Sequence, residues 1–488
     1  HCTPVISNGE TMRVSRLLTL LCLSSSLLAQ EHPSFQTDFS VAEFKGRREK
    51  IFDAIGTNAV ALVQGAPAVD AFEVFRQTNE FYYLCGLETP HAYLFLDGRN
   101  RTSSLYLPHR DEARERGAGK VLSAEDADLV KSFTGVDNVY GIESLSRNQV
   151  GTLVRVPAPL LYTPFSPSEG VAQSRDEHLS GLAAIAADPW DGRPSRETHF
   201  IDLLRLRFPS FEIRDLTPIL DEMRIAKSPK EIELIRRASE LAGLALMEAM
   251  RGTKPGVYEY QLDAAARYVF LVNGARNEGY NSITAGGTNA WMGHYSQNSS
   301  PLKDGDLVLM DYAPDYHYYT SDVTRMWPVN GTFSPWQKEL FGYVVKYRDV
   351  LLKYIRPGVT ADEVMAQARR EMETVWKNTP FSKEIYRKAA EGALSFRGHL
   401  SHPVGLTVHD VGNYRKGPLK VGTVFSIDPM IWVPEERLYV RLEDVVVVTE
   451  TGVENFTAWL PASFDGIETI MKEEGIIQRR PASPPGKH

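Results

Sequence analysis

The chain has 488 residues, 43% hydrophobic and 24% charged, with a net charge of -8. That length exceeds one ordinary core and predicts two domains. The acidic balance supplies no basic surface for a phosphate backbone, which argues against nucleic acid as a partner.

From Met12 the order is basic Arg13 and Arg16, an apolar stretch from Leu17 to Leu23, then small residues before Gln30. This is the pattern of a secretory signal at about 12–29, and residues 1–30 are read as leader and signal peptide. The expectation is a secreted or periplasmic protein with no membrane association after cleavage, because the apolar stretch is too short to span a bilayer and no later run is long enough. Cys2 and Cys22 fall in that segment and leave Cys85, flanked by Phe81, Tyr82, Tyr83 and Leu84, as a buried small hydrophobe without a disulfide partner.

Between residues 35 and 212, short apolar runs at Val60–Val63, Ala92–Leu96 and Ser104–Leu107 alternate with charged, helix-like stretches, as in a small α/β domain. The turn-rich Asp188–Ser195 reads as a surface loop. A second domain, 213–476, begins in earnest at Ser228-Pro-Lys-Glu231, a capping-box signature ahead of apolar residues at helical spacing. Further helices are predicted over Gln261–Val272, Pro335–Ile355 and Ala361–Trp376, with strands at Leu307–Met310, Tyr318–Trp327, Val421–Ile427 and Tyr439–Thr449. Without regular strand-helix alternation, this predicts an α+β layer with a largely antiparallel sheet. The proline-rich, basic segment at 477–488 reads as a disordered tail.

The chemistry concentrates in the second domain. Leu307–Met310 delivers Asp311 at a strand end, and Pro314-Asp315 can reverse the chain so that Asp322 lies on the neighbouring strand. Gly398–Asp410 contains His399, His402 and His409, and imidazole is the commonest metal ligand. Phe425-Ser-Ile-Asp428 is another strand ending in a carboxylate. In Tyr439–Thr449, alternation places Arg441 and Glu443 on one face, while four consecutive valines imply a strand buried on both sides. Four carboxylates and one imidazole suit a pair of divalent ions, since crowded carboxylates without cations would repel and protonate. Oxygen-rich ligation favours Mn2+, with Co2+, Zn2+ or Fe2+ open. Two such ions can activate water and stabilise an oxyanion, which is amide or ester hydrolysis.

In order and spacing these motifs resemble the aminopeptidase P and prolidase family of metallopeptidases. They are Phe75–Pro90, Asp311 with Thr320-Ser-Asp-Val-Thr-Arg325, Leu400-Ser-His402, Val408-His-Asp410 and Val440-Arg-Leu-Glu-Asp444. The resemblance implies a pita-bread catalytic domain preceded by a smaller creatinase-like domain. It implies that Asp311 chelates one ion, Asp322 and Glu443 bridge two, and His402 with Asp428 complete the other. His294 and His409 would line the substrate pocket, and Arg441 would orient the site from behind Glu443. The implied reaction is removal of the residue ahead of an N-terminal proline by a metal-bridging hydroxide, on peptides with proline second, in a dimer or tetramer. A prolidase restricted to Xaa-Pro dipeptides, and a metal-poor relative or binding protein, are the alternatives. The sequence departs from the family at Asp428, where glutamate is usual and the carboxylate therefore retreats by about 1.5 Å. It also departs at Gly398-His399 and at Tyr312-Ala313, both of which bear on pocket shape.

Overall fold

The computed structural model describes residues 36–70, 72–147, 160–169 and 174–479. The signal segment at 12–29 and most of the expected tail lie outside these residues. The tail's first positions are ordered: Ile476–Gln478 forms a 3-10 turn whose Gln478 amide donates to the Gly252 carbonyl at 3.0 Å.

The first unit is built on a six-stranded mixed sheet. Its strands are β1 (Ala59–Gln64), β2 (Tyr93–Asp97), β3 (Thr102–Leu107), β4 (Asn138–Gly141), β5 (Leu160–Thr163) and β6 (Glu212–Asp215), in the order β4-β3-β2-β1-β5-β6. β2 runs antiparallel to both β1 and β3, while the outer pairings are parallel. The apolar run of β1 is continuous because both faces are covered. Ala61 and Val63 pack with Phe44, Ile51 and Phe81, whereas Val60 and Leu62 pack with Phe200 and Leu204. The predicted Asp188–Ser195 loop connects the helices Arg175–Ala187 and Arg196–Arg207. β6 completes this sheet, so the change of unit falls after Asp215 rather than at residue 213.

In the second unit every strand pairing is antiparallel, as expected. β7 (Asn277–Glu278), β8 (Ile283–Gly286), β9 (Leu307–Asp311), β10 (Pro314–Asp315) and β11 (Thr324–Pro328) form a three-stranded sheet, β11-β9-β8, and a short ribbon, β10-β7. β12 (Leu400–Pro403), β13 (Val424–Ile427), β14 (Met430–Val433), β15 (Leu438–Arg441), β16 (Asp444–Val448) and β17 (Val453–Asn455) form the sheet β12-β13-β16-β17 and the ribbon β14-β15. The helices Pro229–Gly252, Glu259–Val272, Pro335–Tyr354 and Ala361–Asn378 appear where the periodicity places them, and Ser228 and Glu231 close the expected capping box. The helix Glu384–Ser395 was not foreseen.

Two strand expectations need correction. The segment Tyr439–Thr449 is not one strand, because the chain changes sheets at Leu442-Glu443, between β15 and β16. Tyr318–Val323 is a turn and an extended connection, and β11 begins only at Thr324. The valine run behaves as predicted: Val446 and Val448 enter the core of the second unit, while Val445 and Val447 enter a core shared with the first. That shared core, to which Phe44, Phe81, Leu234, Tyr319 and Val424 also contribute, ties the two units together.

Candidate active site

Four chain segments end at one place. β9 brings Asp311 to its terminus, and Thr324 is its partner on β11, which puts Asp322 two residues before the paired position. The reversal between them differs from the predicted one. Pro314-Asp315 pairs as β10 with β7, and the chain turns instead at His317 and Tyr318, with φ of 51° and 75°. Such backbone is costly for non-glycine residues. Here it is held by the Tyr318 ring stacked on Tyr82 at 3.5 Å and by the Tyr318 hydroxyl donating to Glu88 at 2.6 Å.

The third segment places His402 in an irregular part of β12, where pairing with β13 shifts register between Leu400 and Pro403. β13 then ends at Ile427, and the Asp428 N–H donates to the His399 carbonyl at 2.8 Å. The fourth segment is the break at Glu443, whose backbone exchanges hydrogen bonds with Thr324 at 3.2 and 3.3 Å. Arg325 fixes this junction by donating to the carbonyls of Thr324 and Glu443, each at 2.9 Å, and to Asp444 at 2.6 Å. Asp444 also pairs with Arg348 at 3.0 Å. Burial would raise the Asp444 carboxyl, but these two guanidiniums hold it down at about 2.

The result is a buried cluster. Asp322, His402 and Glu443 have ligand atoms within 4.8 Å of one another, and His402 Nε2 lies 3.1 Å from Asp322 Oδ2. The Tyr280 hydroxyl donates to Asp311 at 2.6 Å and lies 3.0 Å from Asp322, and Thr324 donates to Glu443 at 3.1 Å. Arg441 pairs with Asp311 and lies 3.4 Å from Asp428 and 3.5 Å from Glu443. The alternation argument thus survives the strand break, because Arg441 and Glu443 face the cavity while Val440 and Leu442 enter the core.

Burial lifts the carboxyls of Asp322, Asp428 and Glu443 above the usual carboxylate range. The Glu443 charge adds to this at Asp322 and Asp428, while Arg441 opposes it at all three. Burial also holds His402 down at about 4, so its imidazole is neutral and free to ligate at physiological pH. One guanidinium cannot balance four carboxylates at this depth. The donor set therefore fits divalent cations, which would relieve the burial and mutual repulsion that raise these carboxyls. Asp311 and Asp428 both stand outside the Asp322, His402 and Glu443 group, and Asp428 Oδ1 is a buried oxygen without a hydrogen-bond partner, as a ligand atom turned toward an ion would be.

These residues gather at the buried end of a cavity of about 440 Å3. His294 and His409 stand nearer its mouth, with ring centroids 6.2 Å apart. Burial first, then the neighbouring His402, keeps His409 down at about 4. The loop carrying His294 is fastened by Glu259, which accepts from Gly286 N at 2.8 Å, Asn289 at 2.9 Å, Tyr295 OH at 2.8 Å and Ser300 N at 2.9 Å. Tyr312 and His399, two of the departures noted in the sequence, do not line the cavity. Tyr312 bonds Glu278, and His399 is buried against Tyr347 with its Nε2 2.7 Å from the Ala393 carbonyl.

Sequence reasoning missed Tyr280, Arg325, Asp444 and Glu177. Asp444 adjoins the predicted ligand Glu443 and Arg325 lies three residues after Asp322, each within a recognised motif, which is the only signal available for them. Tyr280 and Glu177 had none.

Residues 233–450 match the metallopeptidase family M24, and residues 44–155 match the aminopeptidase P N-terminal domain. The Xaa-Pro aminopeptidase of Escherichia coli (strain K12) is 31% identical over 458 residues, covering 89% of this chain and 98% of its own. Xaa-Pro aminopeptidase 3 of Homo sapiens is 28% identical over 464 residues, covering 89% and 86%. A zinc-substituted E. coli aminopeptidase P in complex with product superposes with a TM-score of 0.71 at 29% identity, covering 89% of this chain and 99% of that one. The expected pita-bread architecture, with its separate N-terminal domain, is therefore the fold of this protein, and a divalent-metal peptidase its class. The chain belongs to the Xaa-Pro aminopeptidase family of M24 metallopeptidases.

Proposed function

We propose that the enzyme removes the N-terminal residue ahead of proline from peptides. The observation that carries this reading is the cavity itself. Asp311, Asp322, His402, Asp428 and Glu443 gather at its buried end, and His294 and His409 line the same cavity.

Those five residues would hold the ions, and divalent ions there supply Lewis acidity, bringing the pKa of water toward neutral and polarising a carbonyl. The protein's own groups do the rest. The buried acidic end attracts a free ammonium, which would hold the substrate by its N-terminus and confine cleavage to the first residue. Neutral His409, with His294 beside it, donates hydrogen bonds toward the carbonyl oxygen as charge develops there. Arg441 keeps Asp311 and Asp428 oriented in their ligating positions. The basic, apolar, small-residue order at 12–29 supports export from the cytoplasm, which N-terminal sequencing of the mature protein checks.

The test is cleavage of Xaa-Pro peptides by protein loaded in turn with Mn2+, Co2+ or Zn2+. Release of one free amino acid, abolished by a chelator and restored by metal, is expected. Failure to cleave ahead of proline with any of the three, or cleavage at non-proline bonds instead, would overturn the reading.

A further inference from the structure

The described residues that line the cavity include one lysine or arginine, Arg441, and it is buried and committed to Asp311 and Asp428. The mouth has the opposite character. Glu177, contributed by the first unit's helix Arg175–Ala187, lines it with Oε1 3.7 Å from His294 Nδ1, and Asp176 Oδ1 lies 4.0 Å from His409 Nδ1. The exposures order the cavity from inside to outside: the side chains of Asp311 and Glu443 are 5% and 1% exposed, those of Glu177 and His294 46% and 69%. A peptide with its first residue at the buried end therefore sends the chain beyond proline out past Glu177.

Resting on the Xaa-Pro reading, we infer that Glu177, supported by Asp176, is a specificity-determining residue that selects positive charge and rejects negative charge immediately after the substrate's proline. The helix that carries both acids points its N-terminus at the mouth, but its dipole is equivalent to only about +0.5 charge. Two carboxylates outweigh it. The groups are partly exposed, so the effect is a moderate, salt-sensitive bias of the kind screened electrostatics gives. The same field acts against a free carboxylate on proline, and so against strict Xaa-Pro dipeptides.

The test compares kcat/KM of the metal-loaded enzyme for Ala-Pro-Lys-amide and Ala-Pro-Glu-amide, with Ala-Pro-Ala-amide as the neutral reference. The lysine peptide is expected to be preferred by about fivefold or more at low salt, mainly through KM, with the preference narrowing toward one at about 0.5 M salt. Glu177→Gln should shrink the ratio and Glu177→Lys should invert it. A merely structural role would lower all three substrates together and leave the ratio untouched, and that outcome overturns the inference. So does a wild-type ratio near one when the neutral peptide is cleaved. If no peptide is cleaved, the Xaa-Pro reading fails and takes this inference with it.

Discussion

Asp428 shows how one methylene changes a site. Its backbone is pinned by the bond to His399, its Oδ2 is drawn toward Arg441 at 3.4 Å, and its Oδ1 is left without a partner. Asp428→Glu extends the carboxylate by about 1.5 Å toward Asp322, His402 and Glu443, and should raise divalent-metal content and affinity, measured by elemental analysis and calorimetry. Unchanged or lower metal content would mean that the shorter side chain suits its own geometry. The cluster also fixes a pH dependence. Asp322, Asp428 and Glu443 hold protons more tightly when folded than when unfolded, so the metal-free native state binds more protons above about pH 4. Its stability must fall as pH rises through their folded values. His402 and His409, held down at about 4, act oppositely between there and about 6.5, because the unfolded chain binds their protons. The fall should therefore show above about pH 6.5 as a declining Tm of metal-free protein, and saturating metal should remove the cluster's share of it, leaving the share that Glu80, raised to about 8, contributes. A metal-free Tm that rises over this range would contradict the assignment.

At the scale of elements, the site depends on where strands stop. β9 and β13 stop at Asp311 and one residue before Asp428, and the chain leaves β15 for β16 at Glu443, so each break in a ladder presents a carboxylate to one cavity. The loop that brings His294 has no ladder of its own, and four hydrogen bonds to Glu259 hold it instead. Glu259→Gln replaces one acceptor oxygen with a donor facing N–H and O–H donors. Metal content should stay at its wild-type value while kcat falls by about 10- to 100-fold, the cost of a misplaced pocket residue. An unchanged kcat in metal-replete protein would show that the loop is held by other contacts.

Across the whole molecule, the first unit is part of the site's support. Its Tyr82 and Glu88 brace the strained turn before Asp322, and its helix supplies Glu177. Between the units lies a buried charge network. Arg224, 1% exposed, pairs with Asp410 and, at 3.3 Å, with Glu169, while Lys227 reaches Asp410 at 2.7 Å and Arg175 reaches Glu169 at 2.7 Å. Burial, reinforced by Glu169, pushes Glu80 up to about 8 beside it. Arg224→Ala would strand Asp410 and Glu169 with too little positive charge and should cost about 3–5 kcal/mol in denaturant unfolding. A loss under about 1 kcal/mol would mean that water or Lys227 compensates. Because Asp410 adjoins His409, the same variant should also lower kcat.

How much of this was legible depended on distance along the chain. Apolar periodicity and capping chemistry are local, so the helices from Pro229 to Asn378 and the double burial of the valine run could be read directly. The ligand set was legible because each carboxylate ends or interrupts an apolar strand, and because the motifs containing Asp311, Asp322, His402 and Glu443 resemble a known family. What the sequence alone determined is the chemistry of the inner cavity. Tertiary structure decided which groups surround it: the turn at His317-Tyr318, the sheet change at Glu443, the Tyr280 bond to Asp311, the Arg325 tie to Asp444, and the placement of Glu177 beside His294. These juxtapose residues up to 119 positions apart, as in the Arg325–Asp444 pair, and no local propensity encodes them. They follow from packing two units over one shared core, which is where the protein acquires a mouth as well as a metal-binding floor.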